Sequence, residues 1–322
     1  EAIAEGKKIL VLINPPYGEA TSSDNVNTGG LKDFSKKGVA KTKFANSGME
    51  NFGKASNELF TQFVARVAVE MPNATLAMFS TLKYINSQAM DVFRNAWNAK
   101  YLGGFIVHSK SFDGLKGNFP IGFLIWKTNN SSLRGMKQSQ IISVSTDILD
   151  KNAQPIGEKS FYNIPNDKLL TTWIARPKTN KVEVVPLKNS ITPATSSKDL
   201  RGTKWSDNAI GWLNSPGNDS QQVNLTAILS SGFSSGRGLF VNKENLWQVS
   251  IVYAVRQLIS HTWINHNDQF LIPTEPLTDV FKTDCLIWML FHGKNLTASA
   301  NDLDWNDRKW SIVNHFIPFT EE

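Results

Sequence analysis

The chain has 322 residues and a mass of 35.9 kDa, a length that suits about two domains. Hydrophobic residues make up 41% and charged residues 19%, which is enough apolar content for a packed core and excludes global disorder. The net charge of +6 and pI near 9.2 are compatible with a polyanionic partner without requiring one, and the single cysteine, Cys285, excludes an internal disulfide framework and a cysteine-based zinc site.

The longest apolar runs, residues 9–13 and 286–291, are too short to span a bilayer, and no secretory signal opens the chain. Neither a membrane partner nor a secreted location is therefore expected; the cell interior is. The first residue, Glu1, fits a processed chain or a piece of something longer.

In chain order, Ile9-Leu10-Val11-Leu12-Ile13 is an unbroken run of the kind found in parallel strands buried on both faces, and Pro15 and Pro16 stop it. From Gly18 to Ala55 the composition shifts to Gly, Ser, Asn, Thr and Lys, which predicts a functional loop of more than thirty residues. Ser56 is placed as an N-cap, followed by Leu59, Phe60, Phe63, Val64 and Val67 at helical spacing up to Pro72. Strand-like runs follow at 74–80, 105–108 and 121–126, the first two separated by a helix-like stretch with Met90, Phe93 and Trp97. This order predicts one α/β layer whose last strand is antiparallel.

Beyond Lys127 the pattern changes. Residues 140–148 read as another strand, 178–222 are rich in Pro, Thr, Ser, Asn and Gly, and helix patterns return at 245–260 and about 278–292. A domain boundary is placed at residue 130.

Asn14-Pro15-Pro16-Tyr17, directly after the first strand, is the most informative feature. It resembles motif IV of the amino-group methyltransferases, most closely the N6-adenine DNA methyltransferases of bacterial restriction–modification systems. An exocyclic adenine amine is a poor nucleophile because its lone pair is delocalised into the ring. The resemblance implies that the Asn14 side-chain oxygen and the Pro15 carbonyl accept hydrogen bonds from the two amine N–H groups, turning the lone pair toward a methyl donor. The prolines stiffen that carbonyl, and the Tyr17 ring offers a platform for an extruded base.

The similarity covers about residues 5–128, where the runs at 7–13, 74–80, 105–108 and 121–126 would be the fourth to seventh strands of the methyltransferase sheet. It also implies a second aromatic opposite Tyr17 across the base. Phe112 and Phe119 are the candidates, with ordinary hairpin packing as the competing reading. Residues 131–322 fall where the family carries its target-recognition region, and 245–292 also look, more weakly, like the C-terminal part of larger restriction–modification polypeptides.

S-adenosylmethionine, the cofactor this resemblance implies, binds in that fold at a glycine-rich turn after the first strand. Only thirteen residues precede Asn14, so this element is expected outside the chain or, in a permuted arrangement, at Ser231-Gly232-Phe233-Ser234-Ser235-Gly236-Arg237-Gly238 after Ala227-Ile228-Leu229. That candidate lacks its acidic partner. The chain alone is expected to bind the cofactor poorly.

Lys32, Lys36, Lys37, Lys41, Lys43 and Lys54 gather beside the motif against only Asp33 and Glu50, as phosphate-contacting lysines or a solvated loop. Arg201, Lys204, Trp205, Arg237, Lys243 and Arg256 are further candidates for base or phosphate contacts. The histidines show no metal-ligand spacing: His261 and His266 with Asp268 form no recognised pattern, and Asp302, Asp304 and Asp307 lack the glycine and glutamate of a calcium loop. No nuclease motif is evident.

The expected fold is thus α/β, a partial Rossmann-like methyltransferase sheet (residues 1–130) followed by a mixed α+β target-recognition region (131–322). The expected activity is methyl transfer to adenine N6 after base flipping, in the bacterial cytoplasm, with DNA and a restriction subunit or domain as partners and no metal. Two alternatives stand beside it: an enzyme with the same motif acting on RNA guanine N2 or protein glutamine, and a catalytically silent DNA-binding or assembly module.

Overall fold

A computed structural model describes residues 3, 5–18, 41–97, 99–115, 117–128, 142–181, 204–215, 217–229, 238–297 and 300–312. The chain divides into two units, one running to Asn166 and including Thr262–Asp268, the other formed by Asp167–His261 and the chain from Gln269. Both are mixed α/β. The boundary expected near residue 130 falls inside the first unit, between two strands of one sheet.

The first unit is built on a six-stranded sheet of β1 (Leu10–Ile13), β2 (Thr75–Thr81), β3 (Lys100–His108), β4 (Pro120–Lys127), β5 (Ser143–Leu149) and β6 (Pro155–Tyr162), in the order β1-β2-β4-β3-β5-β6. β1 runs parallel to β2, whereas β4 is antiparallel to both β2 and β3, as the strand spacing predicts. The connections carry α1 (Lys43–Ser47), α2 (Leu59–Glu70), α3 (Lys83–Asn86) and α4 (Asp91–Trp97).

One face of this sheet is fully packed. Leu76, Met78, Ile106, Leu124 and Trp126 are buried in one cluster with Phe60 and Val64 of α2 and Phe93 and Trp97 of α4. The Trp97 and Trp126 rings lie 4.7 Å apart, and the Trp126 indole N–H donates to the Tyr84 hydroxyl at 3.1 Å, whereas the Trp97 indole N–H is buried without a partner. Buried Arg94 donates to the carbonyls of Tyr84, Ile85 and Ser87, holding the turn after α3.

The other face is open at β1. Leu10 and Leu12 pair with Thr75 and Ala77 and are each 68% exposed, while Ile9, Val11 and Ile13 pack into the core. The expectation of burial on both faces is thus corrected: β1 is an edge strand, and no described element covers its outer side chains. Farther along this face Phe79, Phe123 and Phe105 stand side by side, with centroids 4.8 and 5.3 Å apart, and each stays partly exposed.

Two local readings also change. The stretch before α2 is not all loop, because α1 and a 3-10 segment at Glu50–Asn57 precede it. Thr42 caps α1 through the Ala45 N–H, and the Gln62 carboxamide accepts from the Thr42 hydroxyl at 2.8 Å, fastening this segment to α2. Ser56 is no N-cap: Glu58 holds that position, and the Ser56 hydroxyl accepts from Lys41 Nζ at 3.1 Å.

The second unit packs α5 (Leu246–Leu258) and α6 (Asp279–Phe291) with a four-stranded mixed sheet. After the short pair β7 (Asn180–Lys181) and β8 (Lys204–Trp205) come β9 (Gly211–Asn214), β10 (Ala227–Leu229), β11 (Gly238–Val241) and β12 (Asn295–Leu296), ordered β11-β9-β10-β12. Val249, Val252 and Tyr253 of α5 meet Leu213, Ile228, Leu239 and Val241 of the sheet and Met289 of α6. β13 (Ala300–Trp305) and β14 (Arg308–Ile312) form a hairpin whose turn residues, Asn306 and Asp307, both have left-handed backbone, the two-residue turn that matches strand twist. The acidic residues considered for calcium therefore lie in a hairpin. No described helix is long and apolar enough to cross a membrane.

Candidate active site

The four motif residues sit at the C-terminal end of β1, where the prolines end pairing with β2. Pro15 is buried, Asn14 and Pro16 are exposed, and Tyr17 is half-buried. The Tyr17 hydroxyl donates to Asn14 Oδ1 at 2.6 Å. This bond orients the carboxamide and leaves Oδ1 a second lone pair. Burial pushes the Tyr17 pKa up to about 12, so the hydroxyl stays a donor throughout the neutral range. Directly after the motif, the Gly18 carbonyl accepts from the N–H of Leu59, the first residue of α2, at 3.0 Å.

Of the two aromatics considered as partners for Tyr17, the structure places Phe112 beside it. Their centroids are 6.3 Å apart at an interplanar angle of 77°, and Phe112 also meets Phe79 at 5.3 Å. Phe119 instead contacts His266, at 5.8 Å.

The loop between them, residues 109–119, is closed at its base by Ser109. Its N–H donates to the Phe119 carbonyl at 2.9 Å and its hydroxyl donates to the Gly117 carbonyl at 2.7 Å. A Cβ on Gly117 would lie 2.1 Å from the Phe119 ring, so that corner requires glycine. His108 Nδ1 accepts from the Lys110 N–H, which makes Nε2 the donor to Asn118 Oδ1 at 2.7 Å. In the sequence His108 only ends a strand-like run; its loop-closing partners are fixed by the fold, and no spacing signal announces them.

The basic residues divide. Lys32, Lys36 and Lys37 lie outside the described residues, as do Arg201 and Arg237. Lys41 is bonded to Ser56, Lys43 is exposed in α1, and Lys54 is exposed in the following 3-10 segment. Arg256 does not fit a base or phosphate contact: it is fully buried and donates to Thr226 Oγ1 at 3.0 Å and to the Gly217 carbonyl at 2.9 Å. Among the described residues no cluster of three His, Cys, Asp or Glu side chains could hold a metal. Asp268 instead pairs with Lys159 at 2.5 Å.

The glycine-rich candidate leads from β10 to strand β11 and not to a helix, and most of it lies outside the described residues. Its last glycine, Gly238, has a packing role: a Cβ there would lie 2.2 Å from the Leu213 carbonyl oxygen.

Neither a protein-family model nor a curated protein sequence matches the chain. Among solved structures it is similar to a DrdV–DNA complex determined by cryo-electron microscopy, with 11% identity over 45% of this chain and a TM-score of 0.28. It is also similar to the ATP-dependent Type ISP restriction-modification enzyme LlaBIII bound to DNA, with 14% identity over 64% of this chain and a TM-score of 0.29. In each case the match spans 15% of the other chain. Both scores lie below the level that establishes a shared fold.

Proposed function

We propose that this chain supplies the amine-orienting and target-recognition portion of a site-specific DNA methyltransferase, acting on adenine N6 within a bacterial restriction–modification system. The observation that carries the reading is the position of Asn14 and Pro15 at the end of a parallel strand, with Tyr17 and Phe112 beside them. β4, antiparallel to both β2 and β3, supports it as the antiparallel strand expected to close this part of the sheet.

In this reading an extruded adenine presents its amine to the second lone pair of Asn14 Oδ1 and to the Pro15 carbonyl. Two acceptors pull the nitrogen toward tetrahedral geometry and localise its lone pair, which raises its nucleophilicity without a covalent enzyme intermediate. The base stacks on Tyr17. Because Phe112 meets Tyr17 edge-on, a base flanked on both sides requires the Phe112 ring to turn or move outward. Lys43 and the neighbouring lysines would contact phosphates, and residues 131–322 would read the target.

S-adenosylmethionine supplies an activated methyl group when bound. Its site is assigned to a further segment lying against Leu10, Leu12 and the free edge of β1. That the glycine-rich candidate leads to a strand and not to a helix favours a second reading, a DNA-binding or assembly module that is catalytically silent by itself.

Methyl transfer from labelled cofactor, measured for this chain and for a longer polypeptide that includes it, separates the readings. Label on adenine N6 with the longer polypeptide supports the proposal. Label on RNA or protein in place of DNA contradicts the adenine assignment, and DNA binding without transfer by either polypeptide supports the silent module.

A further inference from the structure

The second unit contains a cavity of about 520 Å³ at the start of α5. Three chain segments line it: residues 175–178, the turn at 206–208, and the approach to α5 at 242–248. Its size is within the ~300–1,000 Å³ of ordinary small-molecule sites.

The construction follows from Asn245, the residue before the helix. Its carboxamide donates to the carbonyls of Ala175 and Phe240, at 3.2 and 3.0 Å, and accepts from the Asn242 N–H at 3.0 Å. This joins the lining segments but gives α5 no side-chain cap. Within that first turn Gln248 lines the cavity, and its Oε1 is buried without a hydrogen-bond partner. A buried acceptor left unsatisfied costs about 1–3 kcal/mol, which a donor reaching it would recover. Arg176, anchored by its donation to the Gly238 carbonyl at 2.6 Å, and Lys178 stand on the same wall as two cations. Asp207 and Glu244 contribute carboxylates, and Asn208 a second amide.

This set selects among ligand classes. A bare anion is disfavoured beside two carboxylates, and a neutral sugar needs no paired cations. A nucleotide fits both halves. Its phosphate accepts from Arg176, Lys178 and the helix N-terminus, and its base edge offers the donors that Gln248 and the carboxylates take and the acceptors that Asn208 serves. We propose that this cavity is a nucleotide-binding pocket, with Gln248 reading the base and Arg176 and Lys178 holding the phosphate. It would give the proposed recognition region one base-reading site, yet it is argued without the Asn14 chemistry.

The test is calorimetric titration of the 322-residue chain with each of the four deoxynucleoside 5′-monophosphates, with a short oligonucleotide, and with inorganic phosphate. At least one nucleotide or the oligonucleotide is expected to bind, and Gln248→Leu and Lys178→Gln to weaken it about 3- to 10-fold each. Binding of the oligonucleotide alone identifies DNA as the source, and binding of monophosphates alone identifies a free nucleotide. No binding by any of them, equal binding of inorganic phosphate, or unchanged affinity in both variants overturns the proposal. Should Gln248→Leu fail to fold, exposed Lys178 carries the test. Asn14→Ala is expected to leave this binding intact, so failure here and failure of the methyltransferase reading are told apart.

Discussion

β1 and β2 are parallel neighbours, and β1 is the more apolar of the two, yet β2 is the better buried. β2 lies between β1 and β4, and Leu76, Ala77 and Met78 are buried in succession, although Phe79, on the same face as Ala77, stays partly exposed. β1 has one described neighbour and alternates, with Val11 and Ile13 turned inward and Leu10 and Leu12 turned out. Apolar sequence alone does not bury a strand; neighbours on both sides contribute as well. The motif residues follow the strand with one neighbour among the described residues. A site at the end of β1 is therefore only as complete as whatever covers β1.

The strongest way to break this comparison is at the motif. In a polypeptide that includes the cofactor segment, Asn14→Ala is expected to lower methyl transfer by at least ~100-fold, the scale for losing one preorganised polar group at a reacting centre, with DNA affinity unchanged by filter binding. Next, Leu76→Ala on β2 should destabilise this chain by about 2–5 kcal/mol in urea unfolding, whereas Leu12→Ala on β1 should change it by about 0.5 kcal/mol or less. Equal losses would mean that Leu12 is covered after all. In the longer polypeptide the Leu12 cost should rise, because burying that side chain is worth about 1.5–3 kcal/mol.

Phe112→Ala should weaken transfer about 5- to 160-fold, the ~1–3 kcal/mol of a lost stacking partner, while Phe119→Ala should affect it less. The smallest effect concerns pH. The Tyr17 pKa is raised from the ordinary tyrosine value of 10.0 to about 12, so the folded state retains its proton longer than the unfolded one. Any stability linked to that proton is complete below pH 10 and is lost as pH rises toward 12. Ultraviolet titration of the chain should show one tyrosinate signal near pH 12 that disappears in Tyr17→Phe. A Tyr17 titration near pH 10 would mean that the ring is open to water.

Much of the first unit is legible in the sequence because its signals are local. The runs at 74–80, 105–108 and 121–126 each contain enough apolar residues to mark a strand, and their spacing predicts the antiparallel β4. The motif announces its own turn through two prolines. What the sequence hides depends on distant partners. Thr42 and Gln62 are twenty residues apart, and their bond fastens α1 in a stretch whose composition reads as loop. Arg256 has the formula of a surface cation, but the backbone around Gly217 encloses it. The exposure of Leu10 and Leu12 depends on what lies beside β1, information that four apolar letters do not contain.

The central claim is that Asn14 and Pro15 orient an adenine amine for methylation. Mass spectrometry of DNA nucleosides after incubation with labelled S-adenosylmethionine tests it most directly, using the longer polypeptide and its Asn14→Ala variant. The account predicts N6-methyladenine with the first and none above background with the second. Methylation that persists without the Asn14 carboxamide, or label found on another base, would contradict it.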